Sequence, residues 1–112
     1  MTRRLLFAAI VFAAACATPV APYPPQAGDR FAPEIAAFAA ADAAHAPPAC
    51  AALFVGSSSI RFWSTLAQDM APRVVINRGF GGATIADVNR YFEETVARYR
   101  PRVIVFYAGE ND

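Results

Sequence analysis

Residues 51–59, which read Ala-Ala-Leu-Phe-Val-Gly-Ser-Ser-Ser, decide how the rest of the chain is interpreted. A short apolar run that contains Phe54 and Val55 ends abruptly in Gly56 and three hydroxyl residues. Such a run is typical of a parallel strand that is buried on both faces. Gly56 permits a sharp turn because it has no Cβ atom. Open α/β sheets place their functional sites at this edge, although a Ser-rich turn that only caps a helix has the same composition.

The segments after this turn alternate between strand and helix patterns. Apolar runs predict two further strands, at residues 73–77 and 103–107. Helical spacing predicts one helix before Pro72, on Ile60, Trp63, Leu66 and Met70, and another with the stripe Ile85, Val88, Phe92, Val96 and Tyr99. Thr84 and Asp87 form a capping-box pattern at the start of the latter helix. Before the first strand, residues 31–44 predict an amphipathic helix with a proline in its first turn.

Alternating strands and helices with short links predict right-handed crossovers and a parallel sheet. The carboxyl ends of its three strands then share one edge, where the serines, the glycines of residues 79–82 and Asn111 converge. A hydroxyl, exposed backbone N–H groups and a carboxamide suit acyl transfer, which needs a nucleophile and oxyanion donors. No Gly-x-Gly-x-x-Gly follows the first strand and no Gly-Lys-Ser/Thr occurs. These absences argue against a phosphate site, and we expect neither a cofactor nor a metal.

Length and charge limit the remaining possibilities. The chain has 112 residues, enough for one small domain, and its formal net charge of +1 implies neither nucleic acid nor an acidic partner. All ten basic residues are arginines, which together with the many alanines indicates genomic composition bias.

The amino end has the pattern of an export signal. Arg3 and Arg4 precede an apolar run at residues 5–17, which is too short to span a membrane. Residues 13–16 (Ala-Ala-Ala-Cys) resemble a lipobox, so residues 1–16 predict a signal peptide and a lipidated Cys16. Simple signal-peptidase cleavage is the alternative, and a twin-arginine signal fits poorly. The protein is then periplasmic or an outer-membrane lipoprotein, otherwise secreted, and touches a membrane only through Cys16.

The proline-rich residues 17–30 predict a tether between the signal and a folded domain at residues 31–112. Once Cys16 is lipidated or removed, Cys50 has no intramolecular partner, which excludes a disulfide scaffold.

Three segments in order resemble the SGNH (GDSL-type) hydrolases. Residues 54–60 (Phe-Val-Gly-Ser-Ser-Ser-Ile) resemble the first block of that family, residues 77–84 (Asn-Arg-Gly-Phe-Gly-Gly-Ala-Thr) the second, and residues 109–112 (Gly-Glu-Asn-Asp) the third. The resemblance implies a three-layer α/β/α, flavodoxin-like fold with a parallel sheet, truncated after the third strand. It also implies a serine ester hydrolase of acetylhydrolase, carbohydrate-esterase or lipase type, acting on a small-molecule or glycan ester.

The resemblance also assigns the site residues. Alignment on Gly56 places the nucleophile at Ser58 and puts Ser57 where the family usually has Asp; Ser57 and Ser59 are the alternatives. The implied oxyanion donors are the backbone N–H groups of Ser58 and Gly82 and the side chain of Asn111. Gly79 and Gly81 are assigned to the turn itself. Trp63 and Phe80 are candidates for the acyl pocket, with core packing favoured for Trp63.

The general base of the family comes from an Asp-x-x-His beyond the third strand. The single histidine, His45, follows Asp42 at that spacing but precedes the first strand, so we interpret the match as coincidental. The chain is therefore expected to be an inactive fragment that lacks the catalytic histidine, with residues 103–107 as an unpaired, aggregation-prone edge strand. The alternatives are a non-catalytic module that binds acylated glycans and a flavodoxin-like protein that binds a nucleotide or flavin.

Overall fold

The computed structural model describes residues 29–112, which form a parallel sheet with helices on both faces. The strands are Ala52–Gly56 (β1), Val75–Gly79 (β2) and Val103–Tyr107 (β3). The α-helices are Ala32–Ala44 (α1), Ser58–Arg61 (α2), Leu66–Asp69 (α3), Ile85–Arg90 (α4) and Phe92–Thr95 (α5), and a 3-10 helix covers Ala97–Tyr99. The predicted α/β fold with three layers, ending after the third strand, is confirmed.

β1 lies at the centre of the sheet and sets the register of its two neighbours. The strand order is β2-β1-β3, and both pairings are parallel. Gly56 stands opposite Gly79 on one side and Tyr107 on the other, so the three strands end at the same level. The predicted second strand begins two residues too early, because pairing starts at Val75 and continues through Arg78 to Gly79.

The alternation of side chains along β1 divides the core into two clusters. Leu53 and Val55 face a larger cluster formed with α1, α4 and the 3-10 helix, and Phe54 faces a smaller one with α2 and α3. Phe80 is completely buried in the larger cluster, where its ring makes edge contacts with Phe31 and Tyr91. Burial of one such ring contributes about 2 to 3 kcal/mol, which attaches the loop after β2 firmly to the domain.

The single helix predicted between β1 and β2 is wrong. The chain forms two one-turn helices, α2 and α3, separated by residues 62–65. Trp63 and Thr65 both donate hydrogen bonds to the Asp69 carboxylate, over 2.6 and 2.7 Å. Side-chain bonds of this kind stabilise a turn at the expense of the helical ladder. The apolar spacing still places Ile60 and Leu66 in the core, whereas Trp63 stays 36% exposed against the edge of Phe54.

The predicted stripe between β2 and β3 is correct only in part. The capping box of Thr84 and Asp87 is present at the start of α4. The helix is interrupted at Tyr91 and again at Val96, and each interruption shifts the phase of the buried face. Tyr91 and Thr95 are therefore buried together with the predicted Val88, Val96 and Tyr99, whereas Ile85 and Phe92 are exposed.

Helix α1 is held to the domain by an ion pair as well as by apolar contacts. Asp42 pairs with Arg78 of β2 and accepts a hydrogen bond from the Tyr99 hydroxyl. Arg78 also donates to Tyr99 over 2.8 Å and lies over the rings of Phe38 and Tyr99. Burial, together with the hydrogen bond to Asp42, raises the pKa of the Tyr99 hydroxyl. The Arg78 side chain therefore connects α1, β2 and the 3-10 helix.

The backbone at Gly56 leaves no room for a side chain. A Cβ atom there would lie 1.8 Å from the carbonyl oxygen of Tyr107, and φ is +147°. At Gly82, by contrast, φ is +72° and a Cβ would meet no atom within 4 Å. Gly56 is thus required by both packing and conformation, and Gly82 by conformation alone.

We predict that Gly56→Ala lowers the free energy of unfolding by about 3 kcal/mol or more, because β1 and β3 must separate to admit the methyl group. The matched control Gly82→Ala should cost only about 1 to 2 kcal/mol, the cost of a left-handed alanine. Denaturant unfolding of both variants measures the difference. Equal losses would contradict the close approach at Gly56.

Candidate active site

The turn after β1 holds its three serines in different environments. Ser57 is completely buried, and its hydroxyl donates a hydrogen bond to the Glu110 carboxylate. Ser59 lies at the surface and donates to the same oxygen of Glu110 over 3.5 Å. Ser58, between them, is half-buried, and its hydroxyl has no hydrogen-bond partner within residues 29–112. Ser58 is therefore the hydroxyl in this turn that is both accessible and uncommitted.

The strand ends are joined directly by backbone hydrogen bonds. Ser57 N–H donates to the Tyr107 carbonyl over 3.1 Å, and Phe80 N–H donates to the Gly56 carbonyl over 3.0 Å. A Cβ atom on Gly79 would lie 2.4 Å from the backbone nitrogen of Arg61, so the loop after β2 packs directly against α2. The serine turn and the glycine loop are thus held together by main-chain contacts.

The glycine loop of residues 79–82 is also held by residues at the beginning of α1. Arg30 donates to the Gly82 carbonyl over 3.0 Å, and Gly81 N–H donates to Glu34 over 3.3 Å. The N–H of Gly82 has no acceptor among the residues that the structure describes. The N–H of Ser58, the first residue of α2, is likewise without one, as expected in a first helical turn. Both backbone donors proposed from the sequence are therefore uncommitted.

The segment after β3 contacts the glycine loop through two adjacent side chains. Asn111 donates from Nδ2 to the Ala83 carbonyl over 3.2 Å, which leaves its second amide hydrogen for another acceptor. Asp112 accepts from Ile85 N–H over 3.2 and 3.1 Å through its two carboxylate oxygens. The structure thereby connects the third sequence segment to the second, beside the serine turn.

Charged residues lie along α4, from Asp87 in its first turn to Arg90 at its end. Burial raises the pKa of Asp87, but hydrogen bonds from the Thr84 backbone and hydroxyl and the nearby Arg30 charge outweigh it, so the pKa is lowered overall. The Tyr91 hydroxyl bonds to Asp29, and burial together with this carboxylate raises its pKa to about 12. Arg90 pairs with Asp29 over 2.9 Å. At neutral pH these residues are fixed ion pairs and hydrogen bonds, not proton-transfer groups.

Two residues of this site were missed from the sequence. Glu110 contacts both Ser57 and Ser59, and Glu34 reaches the glycine loop from α1. One sequence signal could have identified Glu110. It is a carboxylate one position before Asn111, at the strand end that lies beside the serine turn. Phe80 was proposed as a pocket residue, but it is buried in the core and has no exposed surface.

The single histidine lies far from the serine turn. His45 is exposed and ends α1, whereas Glu34 at the beginning of that helix contacts the glycine loop. Eleven residues of α-helix separate the two, roughly 16 Å along the axis. The carboxylate of Asp42, which would complete the Asp-x-x-His, is instead occupied by Arg78 and Tyr99. His45 is therefore not positioned to deprotonate Ser58.

A cavity of about 510 Å³ lies between α1 and the segment that follows β1. Its walls include Phe38, Trp63, Asn77 and Gly79, and the ion pair of Arg61 with Glu34 borders it. None of Ser58, Gly82 and Asn111 lines it. This cavity is therefore separate from the serine turn.

Within residues 29–112, no three His, Cys, Asp or Glu side chains are grouped closely enough to hold a metal ion. None of the helices in that range is long and apolar enough to cross a membrane. The predicted signal peptide, the lipobox cysteine Cys16 and most of the predicted tether lie outside the described residues.

No protein-family model matches the sequence, and no curated protein matches it either. One solved structure, of a candidate platelet activating factor from Streptococcus pneumonia, is similar with a TM-score of 0.57 and 18% sequence identity. The match covers 71% of this chain and 37% of that one. At this identity the likeness shows the fold alone. The sheet and helices described above therefore correspond to a part of the larger structure of that neighbour.

Proposed function

We propose that residues 29–112 carry the nucleophile and the oxyanion donors of an SGNH (GDSL-type) serine ester hydrolase. One observation supports this above all. Of three consecutive serine hydroxyls, the two outer ones donate to Glu110, and Ser58 alone is left without an acceptor among the described residues. The three sequence segments that resemble the family blocks also lie at one edge of a parallel sheet, in hydrogen-bond contact with each other.

In the proposed reaction, Ser58 Oγ attacks the carbonyl carbon of the ester and passes its proton to a base. The negative charge that develops on the carbonyl oxygen is stabilised by N–H groups of Ser58, Gly82 and Asn111. Collapse of the tetrahedral intermediate expels the alcohol, which takes the proton from the base, and leaves an acyl group on Ser58. The base then accepts a proton from water as the water oxygen attacks the acyl carbon, and it returns that proton to Ser58 Oγ as the acid leaves.

The base for this reaction is proposed to be the histidine of an Asp-x-x-His downstream of the third segment. Of the described residues, His45 is the single histidine and lies at the far end of α1. We therefore expect the 112-residue chain by itself to hydrolyse no ester above background. The substrate class is a small-molecule or glycan ester, and no nucleic acid is involved.

A non-catalytic module that binds acylated glycans is the second candidate. The observation that favours it is the position of His45, which leaves Ser58 without a base among the described residues. The two functions differ in whether Ser58 forms a covalent adduct.

We predict that a fluorophosphonate labels Ser58 in a protein that contains these residues together with a downstream Asp-x-x-His. Ser58→Ala should abolish the labelling, and the control Ser59→Ala should retain it, because Ser59 serves only as a surface donor to Glu110. Peptide mapping by mass spectrometry locates the adduct. An adduct on Ser57 or Ser59 would contradict the assignment, and no adduct at all would favour the binding module. Ester hydrolysis by the 112-residue chain that depends on Ser58 would bring His45 back into consideration.

In the same protein, Asn111→Ala should lower kcat by about 100- to 1,000-fold with little change in KM, the usual effect of losing one oxyanion donor. Asp112→Asn is a suitable control, because Asp112 contacts only the backbone of Ile85 near this edge. Steady-state hydrolysis of a p-nitrophenyl ester measures both. A loss smaller than about threefold for Asn111→Ala would remove it from the oxyanion role.

We further propose that the protein is exported and acylated at Cys16, in agreement with the apolar run and the proline-rich segment after it. Metabolic labelling with a palmitate analogue should mark the wild-type protein and leave Cys16→Ser unlabelled. Cys50→Ser is the matched control and should label like the wild type. Equal labelling of wild type and Cys16→Ser would favour simple secretion.

A further inference from the structure

The Gly82 N–H, one of the three proposed oxyanion donors, lies in a loop with little steric restriction of its own. The peptide group that carries this N–H joins Gly81 to Gly82, so it has a glycine on each side. Without Cβ atoms, the backbone torsion angles on both sides of this peptide are free to change. An oxyanion donor is effective when it is held in place before the charge develops. Contacts from outside the loop are therefore needed to fix this group.

Two side chains at the beginning of α1 hold the peptide groups on either side of this one. The Glu34 carboxylate accepts a hydrogen bond from Gly81 N–H over 3.3 Å, and Arg30 donates to the Gly82 carbonyl over 3.0 Å. The Gly82 N–H itself has no acceptor among residues 29–112. The neighbouring peptide groups are thus fixed by hydrogen bonds, and the donor between them is free to bind a substrate oxygen.

The Glu34 carboxylate is itself held by a second partner. Arg61 of α2 pairs with it over 3.3 Å, and a Cβ atom on Gly81 would lie 2.6 Å from Arg61 Nη1. The guanidinium group therefore lies directly against the glycine loop. An unpaired carboxylate at this position would oppose a negative charge on a substrate oxygen, and the adjacent positive charge offsets that effect. Since α2 begins with Ser58, the same ion pair connects α1 to the serine turn.

Arg30 is held in a similar way by α4. Its guanidinium group lies 3.5 Å from the carboxylate of Asp87, the capping-box residue in the first turn of that helix. The carbonyl that follows that of Gly82, at Ala83, accepts a hydrogen bond from Asn111 over 3.2 Å. Because the Arg30 side chain is 65% exposed, we expect its contact with the loop to contribute less than that of Glu34.

We propose that Glu34 and Arg30 are positioning residues for the Gly82 N–H, an inference that rests on the function proposed above. Each side chain acts through the backbone of the loop and not on the reacting atoms. Loss of either contact would displace the Gly82 N–H from the developing oxyanion. Stabilisation of the transition state would then weaken more than binding of the ground-state ester, so the effect falls on kcat with little change in KM.

Steady-state hydrolysis of a p-nitrophenyl ester tests the proposal, in a protein that contains these residues together with a downstream Asp-x-x-His. Glu34→Ala should lower kcat about 10- to 100-fold, the cost of a displacement of about 1 Å in a catalytic contact. Glu34→Gln keeps an oxygen that can accept from Gly81 N–H and should stay within about fivefold of the wild type. Arg30→Ala should lower kcat about 2- to 10-fold, and its exposure makes it a suitable second variant if Glu34→Ala does not fold.

Asp42→Asn is the matched control. Asp42 lies on the same helix, and the change weakens its ion pair with Arg78 without contacting the glycine loop. It should lower the free energy of unfolding and leave kcat unchanged. If Asp42→Asn lowered kcat as much as Glu34→Ala does, any weakening of the packing of α1 would have this effect, and the positioning role would be wrong.

A transition-state analogue separates positioning from a purely structural effect. A boronic acid forms a tetrahedral adduct with a reactive serine and places an oxygen beside the oxyanion donors. Across the Glu34 and Arg30 variants, its inhibition constant should rise in proportion to the fall in kcat/KM. An inhibition constant that stays the same while kcat/KM falls would contradict the proposal.

The same measurements distinguish failure of this inference from failure of the proposed function. An active wild type whose Glu34→Ala and Arg30→Ala variants both keep the wild-type kcat would overturn the positioning role alone. A wild type that neither reacts with a fluorophosphonate nor hydrolyses the ester would overturn the proposed function, and this inference with it.

Discussion

The close approach of β1 and β3 at Gly56 is the constraint on which the rest of this structure depends. Any side chain at this position would overlap the carbonyl group of Tyr107. The missing Cβ allows β3 to end level with β1, and it also allows Ser57 N–H to bond to that same carbonyl. On the other side, the Gly56 carbonyl accepts from Phe80. One residue without a side chain thus brings the ends of three strands together, and each segment of the candidate site begins where a strand ends.

Much of the fold could be predicted from the sequence, because strand and helix patterns depend on local spacing. β3 was located at its true limits, and the parallel order followed from the short links between elements. The interruptions at residues 62–65 and at Tyr91 could not be predicted in this way. They depend on side-chain hydrogen bonds to Asp69 and on how the helices meet the sheet, and neither is visible in the apolar periodicity.

The candidate site, like the fold, could be predicted from the sequence only in part. The sequence places Ser58, Gly82 and Asn111 at strand ends, and the structure puts those ends in contact through the backbone. The sequence could not reveal that the Glu110 carboxylate would accept hydrogen bonds from two of the three neighbouring serine hydroxyls, because these bonds join residues more than fifty positions apart. Glu110 thereby supplies a carboxylate to the serine turn from the end of another strand.

The attachment of α1 to the glycine loop has a mechanical consequence. Arg30 and Glu34 form hydrogen bonds with Gly82 and Gly81. Asp29 pairs with Arg90 and accepts a hydrogen bond from Tyr91, at the end of α4. A force applied at Asp29 would therefore reach Arg90 and Tyr91 at the end of α4 first, and the glycine loop only through Arg30.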